Sequence, residues 1–421
     1  MRKTALAVAV GGLFIAPAAQ AQIVFGNETI GTLQLYGKLY PQVIWAESKN
    51  PTNTGSGVSN LASPNGICGT ASAAGSCAGT TAGPRIAVDT QNSYIGFRGE
   101  RQLGRTGLKG IWQIEQAVNF DTGDATWSNR NSFLGLSGGF GTVKLGNMDT
   151  IYKEYGQVEE IFGLTSGNFI SPSNVLSHIG VNQNNNARFH ERAPNSIQYQ
   201  TPQIAGFQAG IQYSPDETKN DVGQPNNRYN ASVGVKWESG PFYASAQAER
   251  HKDFFGGSSN VSSSLSNIGT AGAHSQDTAY RVSGAFRFGN HRVAADVAHI
   301  KWDEEGQAPA PAVRFDEYEH TAFAVSFESQ WGGGWRTAFA YVQANEGSCK
   351  LTNNAACNTT GLKGQLYDAG VAYDFDRQTF VYALAAVLKN GESARYDNWA
   401  ASNPSRGADV YQFAIGMQYR F

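Results

Sequence analysis

Few residue arrangements in this chain could perform covalent chemistry. The run Gly135-Leu136-Ser137-Gly138-Gly139 fits G-x-S-x-G, the elbow that presents a nucleophilic serine between a strand and a helix. Here the flanking pattern is strand, turn, strand, so Ser137 lacks the required setting. The seven histidines share no ligand spacing, and there is no phosphate loop, dinucleotide fingerprint or metal triad. No catalytic, metal or cofactor site is expected. The four cysteines fall into two close pairs, Cys68 with Cys77 and Cys349 with Cys357, each in a stretch of Gly, Ala, Ser, Asn and Thr. In an oxidising compartment two local disulfides are the simplest of three connectivities. A zinc site would want C-x-x-C spacing and nearby histidine. What remains is charge that acts without reacting. Lys38, Arg98, Lys109, Arg130, Lys144 and Arg192 are the candidate cations; Asp149, Glu154, Glu159 and Glu160 are the candidate acids. Fixed charges of both signs can sort ions and dipolar solutes if a scaffold points them at water.

The scaffold is legible as strands. From Asp409 onward Tyr411, Phe413, Ile415, Met417, Tyr419 and Phe421 alternate with Val410, Gln412, Ala414, Gly416, Gln418 and Arg420. One face is large and apolar, the other mostly small or polar, so one side meets an apolar medium and the other water. The same alternation gives faces at Tyr280/Val282/Phe286/Phe288, Thr321/Phe323/Val325/Phe327, Trp335/Thr337/Phe339/Tyr341, Phe207/Ala209/Ile211/Tyr213 and Ala231/Val233/Val235/Trp237. Phe380, Tyr382, Leu384, Ala386 and Leu388 read as a further outward face. Aromatics at the ends of these faces resemble the belts of a bilayer interface.

Composition narrows the class. Of 421 residues, 41% are hydrophobic and only 16% charged, with 49 Gly, 18 Tyr and 3 Met, which disfavours a helix-rich cytosolic enzyme. The 23 Phe and 8 Trp argue against disorder, and a net charge of −2 offers no footprint for nucleic acid. Past the N-terminus no run of about 18 apolar residues could form a spanning helix. Residues 1–21 read as a signal peptide: Arg2 and Lys3, an apolar run from Ala5 to Ala16, then Ala19-Gln20-Ala21. Residues 22–421 then form a single barrel domain.

Short turns are expected near Gly104, Gly138-Gly139, Ala205-Gly206, Ser239-Gly240, Gly289-Asn290, Gly332-Gly333-Gly334 and Asp376-Arg377. Between them lie long Gly/Ser/Asn/Thr-rich segments, among them 47–84, 151–190, 255–276 and 347–363. Sixteen strands are expected, centred near Lys38, Tyr94, Trp112, Leu134, Lys144, Ile197, Gly210, Val233, Ala246, Ser283, Asp296, Phe323, Ala340, Gly370, Ala383 and Ile415. In hydrocarbon every backbone polar group must pair internally, and strands manage this only in a closed sheet. The expectation is an all-β, closed, 16-stranded antiparallel transmembrane barrel in the Gram-negative outer membrane, with short periplasmic turns and long extracellular loops. A secreted sandwich would alternate too, but sixteen strands are too many for one sandwich core.

Specific blocks carry a family resemblance. Gln91-Asn92-Ser93-Tyr94-Ile95-Gly96-Phe97-Arg98-Gly99-Glu100, with Gly107-Leu108-Lys109-Gly110-Ile111-Trp112-Gln113-Ile114-Glu115-Gln116, resembles the second and third strands of the β-proteobacterial general porins of Neisseria/Bordetella type. Arg130-Asn131-Ser132-Phe133-Leu134-Gly135-Leu136 through Val143-Lys144-Leu145-Gly146-Asn147 resembles their next hairpin. Leu35-Tyr36-Gly37 resembles the first strand, and Arg192-Ala193-Pro194-Asn195-Ser196-Ile197-Gln198-Tyr199 the sixth. Terminal Phe421 is similar to the signature read by the barrel assembly machinery. The family often carries an acid three residues past the Tyr-Gly pair, where this chain has Tyr40. The resemblance implies a homotrimer, with a water-filled pore in each copy and a third long loop, here about 149–190, folded inward to constrict it.

Alternation and the family pattern together put Lys38, Arg98, Lys109, Arg130, Lys144 and Arg192 on the lumen wall. Asp149, Glu154, Glu159 and Glu160 fall at the start of the inward loop, so a transverse field across the constriction is expected. Glu115 and Asp296 share lumen parity and can pair with cations there. The implied function is a general diffusion porin for ions and small hydrophilic solutes, set among outer-membrane lipid and lipopolysaccharide. A substrate-specific channel and a barrel-anchored adhesin are the alternatives; a barrel enzyme would need a Ser/His pair that is not evident.

Overall fold

The protein is described from a computed structural model covering residues 23–27, 31–52, 59–62, 83–90, 92–123, 127–164, 168–181, 188–217, 228–306, 313–398 and 404–421. The signal segment 1–21 and the Cys68/Cys77 pair lie outside these residues. The sheet opens with β1 (Ile23–Asn27), β2 (Gly31–Leu39), β3 (Gln42–Lys49), β4 (Arg85–Asp89) and β5 (Tyr94–Gln102). It continues with β6 (Lys109–Ala117), β7 (Ser132–Gly138), β8 (Gly141–Asp149), β9 (Arg192–Gln200) and β10 (Phe207–Pro215). Next come β11 (Tyr229–Ser239), β12 (Phe242–Lys252), β13 (His274–Phe288), β14 (His291–Glu305) and β15 (Phe315–Gln330). The last are β16 (Trp335–Ala344), β17 (Ser348–Leu351), β18 (Gly364–Asp374), β19 (Thr379–Asn390) and β20 (Asp409–Arg420).

From β5 to β16 each segment pairs antiparallel with the next; β16 then pairs with β18, β18 with β19 and β19 with β20. The ladder closes where β20 pairs with β3 and with the end of β2. β2 and β3 form one stave broken at Tyr40-Pro41, where proline has no N–H to offer. The facing stave, β4 and β5, breaks opposite, and its Ser93 Oγ accepts the Tyr40 N–H at 2.8 Å. Merging these pieces gives a closed antiparallel barrel of sixteen staves. Every expected strand centre falls inside a strand.

Alternation sets the faces. On β20, Phe413, Ile415 and Met417 are exposed outward, while Gln412, Ala414 and Gln418 are buried inward. Ile86, Leu134, Ile211, Val282, Val297 and Phe339 likewise face out. Two aromatic girdles bound this band. Near the short turns lie Phe242–Phe286 (4.8 Å) and Trp335–Tyr373 (5.0 Å); toward the long loops lie Tyr213–Tyr229 (5.6 Å) and Tyr341–Tyr367 (4.9 Å). That is the outer surface of a bilayer-spanning barrel.

β19 departs from the expectation. Phe380, Tyr382, Leu384, Ala386 and Leu388 are buried and point inward; Val381, Ala383, Ala385 and Val387 face out. The reason is the loop between β8 and β9, which folds into the barrel and makes part of the interior dry. Ile161, Phe162, Leu164, Phe169, Val175 and Leu176 of the loop share one apolar core with Tyr40, Ala340, Val342, Leu366 and Leu384 of the wall. Both faces of β19 are therefore apolar, and parity alone misassigns them.

Candidate functional site: the bore and its inward loop

The inward loop starts with a short helix, α1 (Ile151–Gly156), whose N-cap Thr150 accepts the Lys153 backbone N–H at 3.3 Å. The helix lies against β10 to β13. Gly210 makes that approach possible: a Cβ there would sit 2.6 Å from Ile151 Cδ1. Gly370 does the same for Phe162, at 2.5 Å. A second turn of helix, α2 (Ser173–Leu176), packs toward β15, β16 and β18. The loop thus coats one side of the bore and leaves the wall of β2 and β5 to β9 facing the remaining space.

Electrostatic ties fix the loop. Arg281 of β13 has no side-chain exposure and donates to Asp296 Oδ1 (2.6 Å) and Oδ2 (2.7 Å) and to Glu159 Oε2 (3.0 Å). Its guanidinium also meets His190 Nδ1 at 3.1 Å. Arginine has only donors, so that nitrogen accepts and the ring is neutral. Burial, with Lys153 and Arg281 nearby, holds His190 well below its ordinary pKa. Further along, the Phe162 N–H donates to Glu328 Oε2 at 2.7 Å, and Arg292 donates to the Val158 carbonyl. Arg336 reaches Asp374 at 2.7 Å and lies over the rings of Phe162 and Phe380.

The charges singled out in the sequence divide into groups. Asp149 ends β8 rather than starting the loop, and sits between Arg192 (3.0 Å) and Lys153 (3.1 Å). Glu154 accepts from Gln200 at 2.8 Å. Glu159 grips Arg281, on the far wall from Arg98 and Lys144. Glu160 is buried with neither carboxylate oxygen hydrogen-bonded among the described residues. Burial, reinforced by Glu159, raises its pKa well above the carboxylate range. On the wall, Arg130 pairs with Glu115 at 2.6 Å. Arg98 donates to Gln34 (2.5 Å) and lies over the Tyr36 ring; Lys144 donates to Gln198 (2.9 Å). Lys38 is buried between the rings of Tyr40 and Tyr94. Lys109 pairs with Glu100 at 2.7 Å beside a short turn, both of them well exposed.

Between loop and wall lies a cavity of about 650 Å³ whose lining includes Arg130, Lys153, Arg188 and Arg192, with Glu191 as its one acid among the described residues. Arg188 and Glu191 are themselves paired. His178 also borders the cavity; burial holds its pKa down to about 3. The residues not singled out for the bore are Arg281, Arg292 and Arg336, with Glu328 and Asp374. Inward parity was the available signal, since Arg281 and Arg336 stand on the face opposite Tyr280/Val282 and Trp335/Phe339.

Cys349 and Cys357 are disulfide-bonded in the β16–β18 connection. Among the described residues no His/Cys/Asp/Glu group could hold a metal ion, and no helix is long and apolar enough to cross a membrane.

The comparisons with known proteins agree with this architecture. A family model described as Gram-negative porin matches residues 4–421. Major outer membrane protein P.IB of Neisseria lactamica is 27% identical over 307 residues, covering 64% of this chain and 82% of the relative. Among solved structures, the anion-selective porin from Comamonas acidovorans superimposes with a TM-score of 0.63 at 19% identity, covering 93% of this chain and all of that one. The trimer form of OmpT from Vibrio cholerae gives 0.58 at 16% identity, covering 93% and 99%. A closed barrel with a lipid-facing apolar band and a charged, loop-narrowed interior, matched along almost its whole length by one family, allows one conclusion: the chain belongs to the Gram-negative porin family, an outer-membrane channel for the passive diffusion of ions and small hydrophilic solutes.

Proposed function

We propose that the bore is a general diffusion channel with a preference for anions, set by the wall of β2 and β5 to β9 facing the inward loop. One observation carries this: the cavity between them is lined by four cations against one acid. Glu115 and Asp149 sit behind three of those cations and offset them in part. Arg98 and Lys144 add positive charge on the same wall, where their hydrogen-bond acceptors are neutral amides. Rings of fixed charge in a narrow aqueous pore set ion preference, and low-dielectric walls strengthen their field. Of the acids expected to set a transverse field, Glu159 is drawn to the far wall by Arg281 and Asp149 is already neutralised, while Glu160 is buried and interacts with Lys153, Lys38 and Arg281. Single-channel recording in a planar bilayer under a KCl gradient tests the reading. Native protein should show an anion-sided reversal potential, and the double variant Arg98→Glu/Lys144→Glu a shift toward cations. A cation-selective native channel would refute it.

The working unit we infer is a homotrimer. β7 has 7 residues and β6, β8, β9 and β10 have 9 each, against 15 for β13 and β14 and 16 for β15. Membrane strands need roughly 9–11 residues at a tilt near 45°. β7 therefore falls short of hydrocarbon thickness and its neighbours only just reach it, so this low side calls for cover by neighbouring copies. Leu134→Arg on β7 should dissolve the trimer on semi-native electrophoresis. A trimer that persists would place that face against lipid. Residues 1–21 we take as the cleaved export signal. Phe421, whose ring lies 6.0 Å from that of Tyr419, we take as the mark read by the assembly machinery.

A further inference from the structure

β7 turns Leu134 and Leu136 to the outside, so by alternation Phe133, Gly135 and Ser137 face the bore. Phe133 is thus a large apolar ring, only half-buried, on the aqueous side of the wall. The register sets it in one inward row with Arg98 of β5 and Gln113 of β6. Arg98 pairs with Gln113, and Gln113 with Phe133. Gln113 is buried, its amide nitrogen turned onto the Asn131 carbonyl at 3.1 Å. A slot is left above it, with a guanidinium on one side and a phenyl ring on the other. At the 4.7–4.9 Å spacing of neighbouring strands, the backbones bearing them lie roughly 10 Å apart.

Both sides of the slot are braced. Arg98 donates from Nε to Gln34 at 2.5 Å, and its guanidinium carbon lies 4.6 Å from the centre of the Tyr36 ring. The Tyr36 hydroxyl is tied in turn to Glu115 at 3.1 Å. Behind Phe133 the row continues at Gly146, and Gly135 stands across from Lys144. The Lys144 ammonium reaches over from there to within 5.2 Å of the Phe133 ring centre. The neighbouring acids are already engaged, Glu115 by Arg130 and Glu100 by Lys109. Among the described residues Arg98 and Lys144 bond to amides rather than carboxylates.

We propose that this slot is a selective station for small aromatic carboxylates, the benzoate class, on their way through the bore. The proposal rests on the anion preference argued above and adds a ring requirement to it. The carboxylate takes the outer edge of the Arg98 guanidinium, a pairing for which its planar fork is shaped. The ligand's ring then spans the gap and meets the Phe133 ring edge to face or offset, the arrangements aromatic pairs prefer. An inorganic anion uses the charge and gains nothing from the phenyl. An aliphatic carboxylate gains apolar contact without the ring–ring geometry.

Planar-bilayer recording in KCl tests this, with benzoate and cyclohexanecarboxylate added as probes of equal charge and similar bulk. In the native channel benzoate should reduce the chloride current at a concentration about three- to tenfold lower than cyclohexanecarboxylate does, the range that one aromatic contact supplies. Phe133→Leu should abolish that difference. Arg98→Gln should weaken the block by both acids about tenfold, as for one lost charge-assisted bond. A variant that conducts has a closed barrel. Equal block of the native channel by the two acids overturns the proposal and leaves the anion preference standing, whereas a cation-selective native channel removes both. A benzoate advantage that survives Phe133→Leu, or block unaltered by Arg98→Gln, also overturns it. Should Phe133→Leu fail to assemble, the native comparison and Arg98→Gln decide.

Discussion

The guanidinium of Arg281 and the carboxylate of Glu159 meet at 3.0 Å with no exposure of either side chain, joining the inward loop to the wall of β13. Asp296 takes the other edge of the same guanidinium. Removing the cation would strand two buried carboxylates. Arg281→Leu should therefore loosen the loop and destabilise its packing by about 3–5 kcal/mol, the usual consequence of breaking one side of a buried pair. Larger, noisier single-channel conductance and faster proteolysis near residue 160 are the expected readouts. A quiet channel of native conductance would show that the apolar contacts hold the loop unaided.

Glu160 makes the loop sensitive to pH. Its pKa is raised above the ordinary 4.5, chiefly by burial. Between that ordinary value and the raised one the folded chain binds more protons than the unfolded chain. Stability is therefore complete below the interval and falls as pH rises through it. The groups acting on it are Glu159, Lys153, Lys38 and Arg281. Glu160→Gln should flatten the decline, measured as loop protection from protease across a pH series. A parallel decline in native protein and variant would assign the effect to other groups.

Asp149 is the acid placed to temper the cationic cavity, lying 3.0 Å from Arg192 and 3.1 Å from Lys153. Asp149→Asn leaves those two cations without their carboxylate. The reversal potential under a salt gradient should move further toward anions, by an amount that shrinks as salt rises and the screening length shortens. No movement would mean that permeating ions do not sense this cluster.

The Cys349–Cys357 bond closes a loop with a sequence separation of 8. For so short a loop the chain-entropy model gives about 2–3 kcal/mol of stabilisation. Replacing both cysteines with serine should leave conductance alone and raise protease sensitivity around residues 348–357. An altered conductance would instead tie this extracellular connection to the bore.

The sequence made the barrel wall legible because each lipid-facing strand obeys a period of two on its own, as β15 and β20 do. It also marked Lys38, Arg98, Arg130, Lys144 and Arg192 through local motifs. It did not reveal which wall the loop would lean on, since that depends on contacts distant in the chain, such as Gly210 beneath Ile151 and Gly370 beneath Phe162. The inward face of β19 was misassigned for the same reason. Leu384 and Phe380 look like lipid-facing residues until Phe162 is known to cover them. Arg281, inward by parity, could not be told from a pore-lining cation until its partners on β14 and the loop were placed.

Gly37 and Phe421 exchange both backbone hydrogen bonds, at 3.0 and 3.2 Å, and β1 pairs with β2 just beyond them. The clasp of the cylinder is thus made by the earliest and latest portions of the described chain. A sheet lacking β20 would leave the first stave an unmated margin, open to the wrong neighbour. The closed ring is thus what lets the chain sit in hydrocarbon with no backbone polar group left bare along a seam.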